Sequence, residues 1–233
     1  MPLRRNTPLK NRGMCLVVLL LLLVPALSPA RESDVRLRTV VIDPGHGGED
    51  GGAVAPDGTL ESDVNLDIAR RLEALAAFWG VKTVMTRTGT EIDYPESAQT
   101  LAAKKKADQD ARLALINATP DGVLLSIHQN QYPASGPWGI QVFYGAEPGS
   151  DRLAQVLQEN MTAQLCPDNR RLAERIDDDI YLMRNAACPA VLAECGFLSN
   201  PNDLAKLESE GYRTQLAAVM LGSYLQYIRG NPL

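Results

Sequence analysis

From residue 39 to residue 228 the chain alternates short apolar runs with segments of helical period, and several of those runs end in polar groups suited to catalysis. Thr39-Val40-Val41-Ile42 is β-branched and runs into the breaker-rich Asp43-Pro44-Gly45-His46-Gly47-Gly48, the pattern of a buried strand delivering residues into a loop. Val64, Ile68, Leu72 and Leu75 follow at helical spacing, with Ser62 or Asp63 placed to cap. A second strand is predicted from Val81 to Met85, an irregular polar stretch over 90–98 and a helix over 99–117. Its Lys104-Lys105-Lys106 reads as a solvated helix face. A third strand, Gly122 to Ile127, ends at His128, and a fourth covers Ile140 to Tyr144. A helix from Asp151 to about Leu165, a fifth strand Val191-Leu192-Ala193 ending at Glu194, and a closing helix from Thr214 to Ile228 complete the pattern. Without internal repeat or low-complexity linker, this predicts one α/β domain, a three-layer α/β/α sandwich around a mixed, largely parallel sheet. Chemistry in such sheets sits beyond the carboxyl ends of the strands, where His46, His128 and Glu194 are all expected.

The chain of 233 residues holds only those 2 histidines. This excludes a three-histidine metal site, a C2H2 finger and an H-E-x-x-H helix, so any metal site must recruit carboxylates or cysteines. Hydrolytic zinc sites keep three protein ligands and leave a fourth position to water, so a His/Glu/His set is the natural solution here. Glu61, just before the first long helix, leads for the third position, with Glu49 and Asp50 in competition. Glu194 follows four apolar or small residues, and burial should raise its pKa, as suits a general base.

Residues 1–30 differ in composition. Arg4, Arg5, Lys10 and Arg12 precede an apolar run from Met14 to Leu27 and the small-residue site Ser28-Pro29-Ala30, the pattern of a signal peptide or N-terminal anchor. The rest, 31–233, is expected to be the catalytic domain. It keeps 19 of the 23 basic residues against all 28 acidic ones, a net charge of −9. That argues against nucleic-acid binding, and contact with an anionic cell wall would need specific groups. Cys166, Cys188 and Cys195 are an odd set outside the leader, which is no disulfide framework; they leave room for one bridge and read first as buried thiols.

Five motifs in register carry a resemblance. They are Val41-Ile-Asp-Pro-Gly-His-Gly-Gly-Glu-Asp-Gly-Gly-Ala53, Leu60-Glu-Ser-Asp-Val-Asn-Leu66, Thr86-Arg87, Leu125-Ser-Ile-His-Gln-Asn130 and Pro189-Ala-Val-Leu-Ala-Glu-Cys-Gly-Phe-Leu-Ser-Asn-Pro201. Together they resemble the zinc-dependent N-acetylmuramoyl-L-alanine amidases, over about residues 38 to 228. The resemblance implies one zinc ion held by His46, Glu61 and His128, with Glu194 as the catalytic glutamate. The implied substrate is peptidoglycan, cut at the amide between the muramic acid lactyl group and L-alanine of the stem peptide. Ser62 and Gln131 depart from the commoner Lys and Ala of the family, and neither is an implied ligand.

Trp138-Gly-Ile-Gln-Val-Phe-Tyr144 and Arg175-Ile-Asp-Asp-Asp-Ile-Tyr-Leu-Met-Arg184 are similar to the short sporulation and germination branch, which strips stem peptides for muramic lactam formation in spore cortex. That branch implies export to the cell envelope, including the forespore envelope, and a peptidoglycan deacetylase acting in the same pathway. Asn130 and Arg184 are candidates for orienting the muropeptide. Two other readings remain: a catalytically silent wall-binding protein of this fold, and a zinc peptidase cutting within the stem peptide.

Overall fold

A computed structural model describes residues 37–176 and 179–230; the expected leader at 1–30 lies outside the described residues. A six-stranded sheet organises the domain in the order β2-β1-β3-β6-β4-β5. The strands are β1 (Thr39–Pro44), β2 (Thr83–Met85), β3 (Gly122–Asn130), β4 (Gln141–Tyr144), β5 (Glu174–Arg175) and β6 (Ala190–Phe197). The β2–β1–β3–β6 block is parallel and β4 pairs antiparallel with β6, so the sheet is mixed and largely parallel, as expected. β1, β3 and β6 are almost wholly buried, which explains their near-continuous apolar runs.

Helices cover both faces. α1 (Glu61–Phe78), α3 (Ser150–Leu165) and α6 (Glu210–Gly230) pack together on one side. On the other, α2 (Leu101–Ala118) and α4 (Tyr181–Asn185) close a core in which Ile116, Leu182 and Met183 meet Val41, Leu124 and Leu192 of the sheet. α5 (Pro201–Leu207) follows β6, started by Asn200, whose side chain accepts from the Asn202 and Asp203 amides. The two-residue β5 and the short α4 and α5 are too brief to show a period, and the sequence reading missed them.

Two differences from the sequence reading bear on the site. β3 and β6 run further than predicted: His128 and Glu194 lie inside the strands and face each other as register partners. The polar residues there read as strand ends, yet the backbone ladder continues through them. At α1 neither Ser62 nor Asp63 caps. Leu60 is the N-cap, and the Glu61 and Ser62 amides donate to the carbonyls of Ala53 (2.9 Å) and Gly51 (3.1 Å). The glycine-rich loop thereby supplies the acceptors a capping side chain would otherwise provide. At the far end Gly80 and Val81 donate to Ala77 and Ala76, closing the helix in a Schellman motif.

Candidate active site

Four elements converge on one cleft of about 420 Å³ whose lining includes His46, Glu61, His128, Asn130 and Glu194. His46 comes from the loop after β1, Glu61 from the first residue of α1, His128 from β3 and Glu194 from β6. Glu61 is central to the first three. Its Oε1 stands 3.0 Å from Nδ1 of His128 and its Oε2 3.4 Å from Nε2 of His46. The Gln129 amide (3.1 Å) and the Ala53 amide (2.9 Å) donate to the same carboxylate, fixing its plane. One ligand atom from each of His46, Glu61 and His128 lies within 4.8 Å of the others, close enough to share a single ion. Of the competing carboxylates, Glu49 is exposed and faces Lys104, while Asp50 accepts a hydrogen bond from Nδ1 of His46 at 2.9 Å.

The geometry depends on close backbone approach. A Cβ on Gly45 would stand 2.2 Å from Cε1 of His128, so only glycine lets the β1 turn lie against that ring. His46 itself sits at φ 60°, a left-handed conformation rare for a residue with a side chain. Two buried arginines hold the turn there. Arg87 donates to the carbonyls of Pro44 (2.9 Å), Gly45 (3.0 Å) and Ser62 (2.8 Å). Arg112 donates to the carbonyls of Pro44 (2.7 Å) and His46 (2.6 Å) and pairs with buried Asp43 at 2.9 Å. Burial alone would raise the Asp43 pKa, but the Arg112 charge and hydroxyl donors on Ser126 and Thr86 bring it below the usual range.

The electrostatics separate the carboxylates. Burial opposes charge on Glu61, yet hydrogen bonds and charge from both imidazoles hold its pKa well down. The same groups act in reverse on His46: burial disfavours the cation, while Asp50 and Glu61 raise its pKa to about 9. Asp50 falls to about 2 through His46 and Lys105, against the effect of burial. Glu194 behaves oppositely. Burial pushes it up to about 7, the His128 charge works against that, Glu61 adds to it, and its Oε2 is buried with no hydrogen-bond partner.

A preorganised set of two imidazoles and an ionised carboxylate is the donor chemistry of a hydrolytic zinc site, and the residues present fit one ion. Glu194 lines the same cleft, with its Oε2 enclosed behind that lining. Asn130 also lines the cleft; Arg184 is exposed on α4 and outside the lining. The sequence reading missed the bracing role of Arg112, whose only visible signal is its place four residues after Asp108, to which its Nε donates at 2.8 Å. It also misread the lysine triplet: Lys105 reaches Asp50 at 3.0 Å, and Lys104 pairs with Glu49, so two of the three bind the glycine-rich loop. Cys166, Cys188 and Cys195 are all buried and free.

Comparison with known proteins gives one consistent picture. A family model described as N-acetylmuramoyl-L-alanine amidase matches residues 40–223. The germination-specific N-acetylmuramoyl-L-alanine amidase of Bacillus subtilis (strain 168) is 34% identical over 198 residues, covering 84% of this chain and 82% of that protein. The amidase LytC of the same organism is 30% identical over 194 residues, 82% of this chain but 36% of LytC. Among solved structures, the CwlD amidase of Clostridioides difficile, in complex with the GerS lipoprotein, superposes with a TM-score of 0.80 at 31% identity, covering 83% of this chain and all of that one. The family match runs through every strand that delivers a cleft residue, and the chain belongs to the N-acetylmuramoyl-L-alanine amidase family, close to its germination-specific members.

Proposed function

We propose that this amidase is a zinc hydrolase that releases stem peptides from peptidoglycan by cutting between the muramic acid lactyl group and L-alanine, in the service of spore cortex maturation. The observation that carries the reading is the pairing of opposites in one cleft: an ionised Glu61 shared by two imidazoles, and a buried, unpartnered Glu194 with its pKa raised to about 7. A silent binding module has no need to keep such a costly carboxylate dry.

His46, Glu61 and His128 would hold the metal. When bound, zinc supplies Lewis acidity, lowering the pKa of water and polarising the lactyl carbonyl. Asp50 holds Nδ1 of His46 and so fixes which ring nitrogen faces the site. Glu194 takes a proton from the attacking water and returns it to the departing amine of L-alanine, a relay suited to a carboxyl poised near neutral pH. Asn130, at the mouth, would orient the muropeptide, with Arg184 a more distant candidate.

The germination-specific relative supports the cortex role, and the complex of CwlD with GerS supports a lipoprotein as one kind of protein partner, beside a peptidoglycan deacetylase in the same pathway. In this reading residues 1–30 direct export to the envelope and 31–233 form the catalytic domain. Among the described residues no helix is long and apolar enough to cross a membrane. Mass spectrometry of peptidoglycan digested by the zinc-loaded protein is the test. Free peptides beginning at L-alanine are expected. Peptides beginning at a later stem residue would make the enzyme a peptidase, and no release under any metal condition would leave a binding protein.

A further inference from the structure

The loop that leaves the catalytic cleft ends in a second, differently built surface. Gln131 lines the cleft, and the chain then crosses the carboxyl ends of β3 and β6 to Trp138, a residue 42% exposed. The loop is tied to the segment after β6: the Ser199 hydroxyl accepts from the Tyr132 amide at 3.0 Å, and Asn200 Nδ2 donates to the Ser135 carbonyl at 2.8 Å. Just past Trp138, Gly139 at φ 93° donates to buried Asp203 at 2.7 Å, and the same carboxylate oxygen accepts from the Phe197 amide at 3.0 Å. The indole is therefore held out in solvent by a rigid, buried support.

Two open grooves, of about 430 and 510 Å³, share Trp138 as a wall. Arg170 and Arg171 line one, and Asn202 and Lys206 the other. The arginines make their hydrogen bonds here to main-chain carbonyls of Pro167, Asn169 and Trp138, and Arg171 also lies over the Phe197 ring at 5.2 Å. With Asn169, Asn200 and the carboxylates of Asp168 and Asp203 also in the linings, this puts three cations, three amides and two carboxylates around an exposed aromatic residue, a local excess of positive charge in a domain whose overall charge is strongly negative. An aromatic face with polar groups at its rim suits a sugar ring, whose axial C–H bonds pack on the π surface while hydroxyl and acetamido groups reach the edge. Anionic stem peptides on the same strand would meet the arginines and the lysine.

We propose that Trp138 and its two flanking grooves form a glycan subsite, which grips the peptidoglycan strand beside the muramic residue being stripped. This rests on the amidase reading for its substrate class. By register Gln141 lies two strands, on the order of 10 Å, from His128, and Trp138 is three residues before it on the same end of the sheet, within reach of one glycan strand crossing both surfaces.

The test uses the two tryptophans of the chain. In a Trp79→Phe, Glu194→Gln protein, Trp138 is the sole indole and substrate is not consumed. Titration with stem-free glycan chains is expected to shift its emission saturably, and Trp138→Ala is expected to weaken sedimentation with purified sacculi about tenfold. In the wild-type background, Trp138→Ala should cleave a short soluble muropeptide at the normal rate and carry normal zinc, while turnover of long glycan strands falls. An unchanged emission together with unchanged sacculus binding overturns the subsite while the wild-type enzyme still cleaves. If instead the wild type cleaves nothing but Trp138 still reports glycan binding, the amidase reading fails and the subsite stands.

Discussion

The second oxygen of Glu194 is enclosed without a donor, and a charge placed there costs folding energy that a hydrogen-bonded carboxylate would not. The sign follows from its pKa. The folded protein binds this proton up to about pH 7, whereas the unfolded chain releases it near the ordinary carboxylate value of 4.5. Between those values the native state holds the extra proton, so stability falls as pH rises through that window and levels off above it. Gln does not titrate. In excess chelator, Glu194→Gln is expected to match the wild type near pH 4.5 and to exceed it at pH 8 by about 1–3 kcal/mol in urea unfolding. The same variant should keep zinc and lose hydrolysis; parallel stability curves at both pH values would sink the argument. Asp50 calls for a different reading. The sequence marks it as a competitor for the metal, because spacing cannot say which of three nearby carboxylates points inward. Its place against Nδ1 of His46, with Lys105 behind it, makes it a positioning residue. Asp50→Asn is expected to weaken zinc binding about 10–100-fold in competition with a chromophoric chelator, with the fold intact.

At the scale of elements, the alternation of periods was legible because β1, β3 and β6 are buried on both faces and α1 on one, and burial is what writes periodicity into a sequence. What could not be read is how polar residues are accommodated inside strands. Gln129 continues β3 because its side chain donates to buried Asn65 of α1, which in turn donates to the Gly45 carbonyl, and no periodicity reports such a relay. The lysine triplet fails for a related reason: α2 looks solvated in isolation, but the loop after β1 folds over it. That loop and β3 are matched at a single contact. Gly45→Ala would drive a methyl into the His128 ring at 2.2–2.7 Å, and the ring, one of the proposed ligands, would have to turn away. The expected result is loss of zinc and activity with a stability cost of about 1–3 kcal/mol, as for other overpacked sites. Gly51→Ala serves as the comparison, since its nearest neighbour is the Leu60 side chain at 3.4 Å. Equal zinc content in the two variants, measured by elemental analysis, would show that the close approach is not what places His128.

Across the whole molecule, the sandwich and its mixed sheet follow from the order of apolar runs and helices, but the antiparallel entry of β4 beside β6 does not, because the proline- and glycine-rich loop 131–140 has no helical period and leaves the direction of return open. The site is spread in the same way. His46 and His128 are 82 positions apart, with Glu61 between them, and each is carried by a different element. An ion held by all three joins the β1 turn, α1 and β3 into one unit, and the unfolded chain cannot reproduce that arrangement. Binding to the native state alone stabilises by about 2.7 kcal/mol when free zinc is a hundred times the dissociation constant. For a domain of this size each kcal/mol moves Tm by roughly 2–4 °C, so zinc-loaded protein should melt about 5–10 °C above the same protein in excess chelator. His128→Ala, lacking one proposed ligand, is expected to melt at nearly the same temperature with and without zinc. Thermal scans of both proteins in both conditions decide it. A wild type indifferent to the chelator, or a variant that responds as strongly as the wild type, would mean that these three side chains do not hold the metal together.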